Sequence, residues 1–380
     1  MRIGIDAREA FRSEPRGIGH YTRNLLTEFA RQPSGHEFLL YHQDPDPAPG
    51  VANGSPFRSV HADVPGDRFH AWERIAMPWC MRRDGLDVYH GTYNTLPPRW
   101  PIWRGPAMVL SLHDIIVTWW ADDLHDPFVR YARAITARSA RDAAVILTVS
   151  RWSQQDICAR YGCDPGKVRI AYNGLHPMVL AGAPAGAGDD ARERFADGRP
   201  YLFAIGAHLE RKNTGRLIDA FGLARRRRPD LPHLLLVSGL GKNADRFRER
   251  AARVDALDHV RFLPYLDQTD LVAVYAGAEL AVYPSLVEGF GLPVAESLSI
   301  GTPIIASRSS AIPEAGGEFA HYFDPTSTDD VVDAIVHGIE RYAPEFAPRR
   351  AAAMTWARRF TWRDSAAVVL QAYADAAARR

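Results

Sequence analysis

The chain has 380 residues, 46% of them hydrophobic and 24% charged, a balance that excludes a disordered chain and fits a globular protein. Its 46 Lys and Arg against 45 Asp and Glu leave a formal net charge of +1, so no bulk attraction for nucleic acid follows. Three cysteines (Cys80, Cys158, Cys163) make no disulfide framework and lack metal-ligand spacing, and no apolar run approaches the roughly 20 residues of a membrane span. The composition therefore predicts a cytoplasmic protein, at most peripheral to the inner face of a membrane, and its length predicts two domains. All but three of the basic residues are arginine, which singles out Lys167, Lys212 and Lys242.

The opening residues MRIGIDAREAF enter a short apolar run at 2–7, a strand and not a signal peptide. Gly17-Ile18-Gly19-His20-Tyr21 then opens a helix over 21–31, and the two glycines leave bare backbone at its N-terminus. This is not the dinucleotide fingerprint, since a third glycine is missing and nine residues separate the strand from Gly17. Strands are predicted at 37–41, 87–90, 107–112, 143–149 and 168–172, with a helix at 127–141 among them. MVLSL and AVILTV are almost wholly apolar, as strands covered on both faces are, and the alternation with helices predicts βαβ units. Tyr89-His90-Gly91 and, more pointedly, His113-Asp114 end strands at the carboxyl edge, where doubly wound sheets bind ligands.

Seven of the nine tryptophans fall in this half, among them Trp72, Trp79, Trp100, Trp103, Trp119 and Trp120. FHAWERIAMPWCMRR at 69–83 fits interior packing or an amphipathic element ending at Arg82-Arg83 and interrupted at Pro78. No metal site is expected: Asp44-Pro45-Asp46, Asp122-Asp123 and Asp329-Asp330 read as turn and helix-start residues.

Residues 177–200 hold AGAPAGAGDD, without strand or helix period, and read as a linker over 181–200. Beyond it YLFAIG, HLLLVSG, VRFLPY, AELAVYP and PIIAS repeat the strand pattern, with helices near 213–227, 243–256, 267–276 and 293–300. The expected architecture is α/β with two Rossmann-like domains. They span 1–180 and 201–355, and a C-terminal helix over 356–380 packs back on the first.

Two segments of the second half carry chemistry. In FAIGAHLERKN, a strand and Gly206 lead to Arg211-Lys212-Asn213 at the start of a helix, where two cations oppose the helix dipole unless an anion joins them. In PSLVEGFGLPVAESLSIGTPIIAS, a strand ends in Glu288-Gly289-Phe290-Gly291, and Leu292-Pro293 opens a helix. Glu288 and Glu296 lie eight residues apart, placed to accept hydrogen bonds from hydroxyls on two parts of one ligand. For Glu296 alone, complementing the helix dipole explains it as well.

Together these segments resemble the retaining glycosyltransferases of family 4, which have the GT-B fold. The likeness spans IDAR with GIG, the HD pair, Tyr172-Asn173-Gly174, RKN and the EGFGLPxxE cassette followed by GTPIIAS. The resemblance implies two Rossmann-like domains with parallel sheets facing across a central cleft. It implies that Arg211 and Lys212 bind the donor phosphates, that Gly17 and Gly19 lie near them, that Glu288 meets the donor sugar and Glu296 the ribose. It places His113 against the transferred sugar and the base around 262–266, up to Leu266; Pro264 stands where the family commonly has glycine. Gly289, Phe290, Gly291 and Leu292 complete the cassette.

The implied reaction moves a hexose from a nucleoside diphosphate to a glycan or lipid-linked saccharide, with retention and on one face of the sugar. It needs no cofactor or metal, because the cation pair stabilises the leaving diphosphate. GDP-mannose is the expected donor, with a UDP-linked sugar as the alternative. A nucleotide-sugar epimerase, a nicotinamide oxidoreductase and a non-catalytic sugar-binding protein are the competing classes. The oxidoreductase lacks its glycine fingerprint, and the binding protein should have lost the cation pair or the cassette carboxylates.

Overall fold

The computed structural model describes residues 1–13, 17–32, 34–44, 53–54, 56–62, 64, 71–99, 104–119 and 124–379. Trp100, Trp103, Trp120, Asp122, Asp123, Pro45, Asp46 and the first two residues of 69–83 lie outside this set. The chain divides into two compact units, Met1–Gly174 with Thr361–Arg380, and Leu175–Phe360.

The first unit is built on β1 (Arg2–Asp6), β2 (Glu37–His42), β3 (Asn53–Gly54), β4 (Phe57–His61), β5 (Val88–Gly91), β6 (Ala107–Ser111), β7 (Val145–Thr148) and β8 (Val168–Ile170). Their order is β3-β4-β2-β1-β5-β6-β7-β8, parallel throughout except for the β3–β4 pair at one edge. The six strands expected here are all present. The two that were not, β3 and β4, form the edge, where FRSVH buries only Val60 and so lacks the apolar run of a central strand.

The second unit carries β9 (Tyr201–Ile205), β10 (Leu234–Ser238), β11 (Val260–Phe262), β12 (Leu280–Tyr283), β13 (Ile304–Ser307) and β14 (His321–Phe323). The order is β11-β10-β9-β12-β13-β14, parallel at every pair. This is the dinucleotide-type doubly wound order, and its direction reverses between β9 and β12. Ligands bind such sheets at that switch point, outside the carboxyl ends of the strands. Both chemistry-bearing segments leave the sheet there, one after β9 and one after β12.

The boundaries differ from the expected ones. The residues read as a linker contain the helix Ala187–Ala196, which packs on the helix Gln268–Gly277. Its small residues serve close approach: a Cβ on Gly188 would sit 3.0 Å from the Ala276 carbonyl carbon. Arg192 donates to the Gly277 carbonyl at 3.2 Å, and Arg194 pairs with Asp270 at 2.7 Å. A composition that suggests a flexible tether is here a helix–helix contact.

The chain returns to the first unit at Thr361, whose hydroxyl accepts the Asp364 N–H at 3.1 Å and starts the helix Trp362–Ala378. The preceding helix, Arg350–Arg358, belongs to the second unit. Trp362–Ala378 buries Ala366, Val369, Ala372, Tyr373 and Ala376 in the same core as Phe29, Val88 and Val109. The Tyr373 hydroxyl reaches His90 Nδ1 at 2.7 Å. Tyr373→Ala is therefore expected to destabilise the first unit by about 3–5 kcal/mol, and Tyr373→Phe by only about 1 kcal/mol. Urea unfolding of both variants measures the difference.

Candidate functional site

At the switch point of the second sheet, β9 passes through Gly206 to a short turn, Glu210–Lys212, and the helix Thr214–Arg227. Asn213 joins the two in a left-handed conformation (φ 57°), and its side-chain amide donates to the carbonyls of Pro284 (3.1 Å) and Pro325 (2.8 Å). The third residue of RKN thus clamps the loop after β9 to the loop after β12. The Arg211 carbonyl accepts the Leu286 N–H at 2.7 Å and lies 3.0 Å from the Ser285 hydroxyl. These bonds fix where the three charged side chains meet.

Glu288 Oε1 receives Lys212 Nζ at 2.7 Å and Arg211 Nη1 at 3.0 Å, and Ser285 Oγ stands 2.5 Å from it. Lys212 also donates to the Tyr283 hydroxyl at 3.0 Å. Burial by itself pushes the Glu288 carboxyl up, but Lys212 and Arg211 outweigh it and hold the carboxyl below its ordinary value. One carboxylate between two cations leaves a local charge of +1. Among the described residues, no side chain caps the backbone N–H groups at the start of either Thr214–Arg227 or Leu292–Ile300. A residual cation beside helix N-termini at a switch point can attract an anion, and Glu288 beside it can accept from a hydroxyl.

The rest of the cassette is structural or secondary to this cluster. Gly291 adopts φ 113°, a conformation that side chains rarely take, and it is the N-cap of Leu292–Ile300. Phe290 is buried edge-to-face against Phe360, centroids 4.9 Å apart, so its ring anchors the loop. The Glu288 N–H donates to Ser310 Oγ at 2.8 Å. Glu296 has no hydrogen-bond partner among the described residues, and burial pushes its carboxyl up to about 7. A carboxyl raised to the working pH without an ion-pair partner suits a ligand contact better than dipole complementation. Leu266 is buried beyond the end of β11, with β10 between that strand and β9, and the neighbouring Pro264 carbonyl accepts Ser238 Oγ at 2.8 Å. It is therefore set apart from the charged cluster.

In the first unit, Gly17 and Gly19 open the helix Gly17–Arg31; Gly17 is exposed and Gly19 buried. His113 follows β6, and its backbone N–H donates to Asn94 Oδ1 at 3.1 Å. Its Nε2 faces the Thr92 carbonyl at 3.2 Å, so Nε2 carries the proton and Nδ1 is the acceptor. Tyr21 meets the ring edge-on, 4.5 Å between centroids. A polar chain runs behind it from the Tyr21 hydroxyl to Ser111 (3.0 Å), His90 (2.8 Å) and Tyr373 (2.7 Å). Asp114 accepts the Ile116 N–H at 3.0 Å and starts the next helix. The sequence did not single out Ser285, Tyr283 or Asn94. Asn94 at φ 60° carries one readable signal, since Asn is among the few residues that tolerate that conformation.

Residues 188–343 match the glycosyl transferases group 1 family, and residues 15–179 match Glycosyltransferase Family 4, so the two matches together span most of the chain. The chain belongs to the family 4 glycosyltransferases. It is 27% identical to the O-antigen chain mannosyltransferase B of Escherichia coli, over 98% of this chain and 99% of that one. It is 28% identical to the MMP alpha-(1->4)-mannosyltransferase of Mycolicibacterium hassiacum, over 69% of this chain and 61% of the other. Among solved structures, a sucrose-phosphate synthase from Thermosynechococcus elongatus covers both chains completely with a TM-score of 0.77 at 18% identity. The lipopolysaccharide glycosyltransferase WaaG covers 95% of each chain with a TM-score of 0.68 at 17% identity. These likenesses establish the GT-B fold. Among the described residues, no helix of this glycosyltransferase is long and apolar enough to cross a membrane.

Burial lowers the His113 imidazole to about 4, although its bond to Thr92 opposes the shift, and lowers His90 to about 3. Both rings are neutral in the folded protein at neutral pH. Because each folded value lies below the ordinary 6.5, the stability they contribute is present above pH 6.5 and is lost as pH falls towards 4. Imidazole NMR should show His113 still neutral at pH 5, and the unfolding midpoint should fall between pH 7 and pH 5. A His113 that titrates near 6.5 contradicts this assignment.

Proposed function

We propose that this enzyme transfers a hexose, mannose from GDP-mannose, to a saccharide acceptor with retention at the anomeric carbon, and that it does so without a metal. The observation that carries the reading is the sharing of one carboxylate by Arg211 and Lys212 at the switch point. A departing diphosphate gathers negative charge as the sugar becomes oxocarbenium-like, and two preorganised cations stabilise that charge where it develops. In this reading the diphosphate takes over the two cations, and Glu288 turns to the sugar hydroxyls as their acceptor. Glu296 accepts from the ribose. In the first unit, His113 as a neutral ring suits a hydrogen-bonding role toward a sugar rather than a proton donor. Mannose is favoured by two relatives described as mannosyltransferases, one of them matched over its whole length.

Glu288→Gln frees both cations and raises the local charge, so GDP should bind it at least as tightly as it binds the wild type. Turnover should nonetheless fall about 100-fold, because a group at the reacting sugar is lost. Calorimetric titration with GDP and a radiolabelled-mannose transfer assay separate the two effects. Equal losses in binding and turnover contradict the assigned role.

With its carboxyl at about 7, Glu296 becomes a full acceptor only as pH rises through that value. GDP affinity should therefore climb more steeply between pH 6 and 8 in the wild type than in Glu296→Gln. Parallel profiles remove Glu296 from the ribose site.

A further inference from the structure

The segment that carries Glu288 is gripped from both sides. On the β9 side, the Arg211 carbonyl takes the Leu286 N–H. On the other side lie the end of β13 and the loop that follows it, from which three serines reach the segment. Ser307 Oγ donates to the Ser285 carbonyl at 2.5 Å, and Ser309 Oγ donates to the Leu286 carbonyl at 2.6 Å. Ser310 Oγ accepts the Glu288 N–H at 2.8 Å. The gripping loop is itself anchored. The Arg308 N–H donates to the Phe323 carbonyl on β14 at 2.8 Å, and Ala311 and Ile312 are buried.

Ser310 differs from the other two serines. Its backbone is left-handed, at φ 52°. The other non-glycine residues with positive φ among the described residues are Asn94, Asp197, Asn213 and Asp255, all of the two types that visit this conformation most readily. Serine is not one of them, so position 310 is strained. Glycine there would remove the strain and leave the Glu288 N–H without its acceptor. The strain is thus kept together with one hydrogen bond. That bond ends on the residue whose carboxylate lies between Arg211 and Lys212.

We propose that Ser310 is a positioning residue for Glu288: its hydroxyl fixes the backbone of the carboxylate, so that Glu288 stays in place when its ionic partners turn to the donor. The proposal rests on the glycosyl-transfer reading above. In that reading the diphosphate takes over Arg211 and Lys212, and the Glu288 side chain keeps the Ser285 hydroxyl, 2.5 Å away, in place of an ion pair. Where the carboxylate then points depends on its backbone, which Ser310 holds by the N–H.

Three substitutions separate strain from hydrogen bond. Ser310→Thr keeps the hydroxyl but sets a β-branched side chain at positive φ, Ser310→Ala keeps the strain without the hydroxyl, and Ser310→Gly loses both. The unfolding midpoint should be higher in Ser310→Gly than in Ser310→Ala, and lower in Ser310→Thr than in the wild type. Turnover in the radiolabelled-mannose transfer assay should instead follow the hydroxyl. It should fall about tenfold in Ser310→Ala and Ser310→Gly alike, with KM for GDP-mannose within about twofold of the wild type, and stay within about threefold in Ser310→Thr. Hydrogen exchange of the Glu288 amide reads the same bond without substrate, and should be slow in the wild type and Ser310→Thr and fast in the other two. The Ala and Gly variants decide the point even where Ser310→Thr does not fold. Turnover that follows the unfolding midpoint overturns the proposal, as does wild-type turnover in both Ser310→Ala and Ser310→Gly. A Glu288 amide that exchanges alike in the wild type and the variants also overturns it. A wild type that transfers nothing from GDP-mannose, with the expected exchange pattern, overturns the donor reading and supports the Ser310 bond.

Discussion

The second unit depends on one arrangement: a carboxylate, Glu288, held between Arg211 and Lys212 where the strand order reverses. Neither loop could place these groups alone. The backbone bond from Leu286 to Arg211 and the Asn213 bond to Pro284 tie the loop after β9 to the loop after β12, while a second Asn213 bond reaches Pro325 after β14. Glu288 keeps its charge despite burial because both cations favour its ionised form, and the excess of one positive charge in the cluster favours an anion. The parallel sheet contributes the geometry, since the switch point brings the two carboxyl ends side by side.

The first unit solves a different problem. It keeps a histidine neutral and oriented at a strand end by burying it, bonding Nε2 to a backbone carbonyl and bonding its N–H to Asn94. Behind it, Tyr21, Ser111, His90 and Tyr373 form a connected polar chain in an otherwise apolar core. Such a chain is rigid when every member is satisfied. The last helix supplies one end of it, which explains why the C-terminal residues return to the first unit rather than ending on the second.

Much of this is visible in the residues themselves. Continuous apolar runs such as LLLVS and VILT mark central strands, and the glycine-bounded cassette and the RKN triplet lie where the sheet brings them together. Two strands beyond the short β3 at the sheet margins were not legible, although the edge strands β8 and β11 were: β4 buries one side chain of five, and β14, HYF, buries only Phe323, so neither shows the central-strand pattern. The Ala187–Ala196 helix was hidden by its own composition, because glycine that permits close packing reads like glycine that permits flexibility. The roles of Ser285, Tyr283 and Asn94 come from contacts across loops, which no single-segment motif contains. Asn213 was part of a recognised triplet, yet its task is to join loops. Phe290 lies within the cassette and serves the core.

The central claim is that Lys212 and Arg211 form a diphosphate site that works without a metal. A thermal-shift panel of GDP, UDP, ADP and TDP in the presence of EDTA, on wild type and Lys212→Ala, tests it most directly. A ligand at 100 times its dissociation constant adds about 2.7 kcal/mol of stability, a readily measured rise in midpoint. The account predicts that GDP raises the wild-type midpoint well above the other three and leaves Lys212→Ala almost unmoved. A wild type stabilised by none of the four, or a Lys212→Ala variant stabilised as much as the wild type, would contradict it.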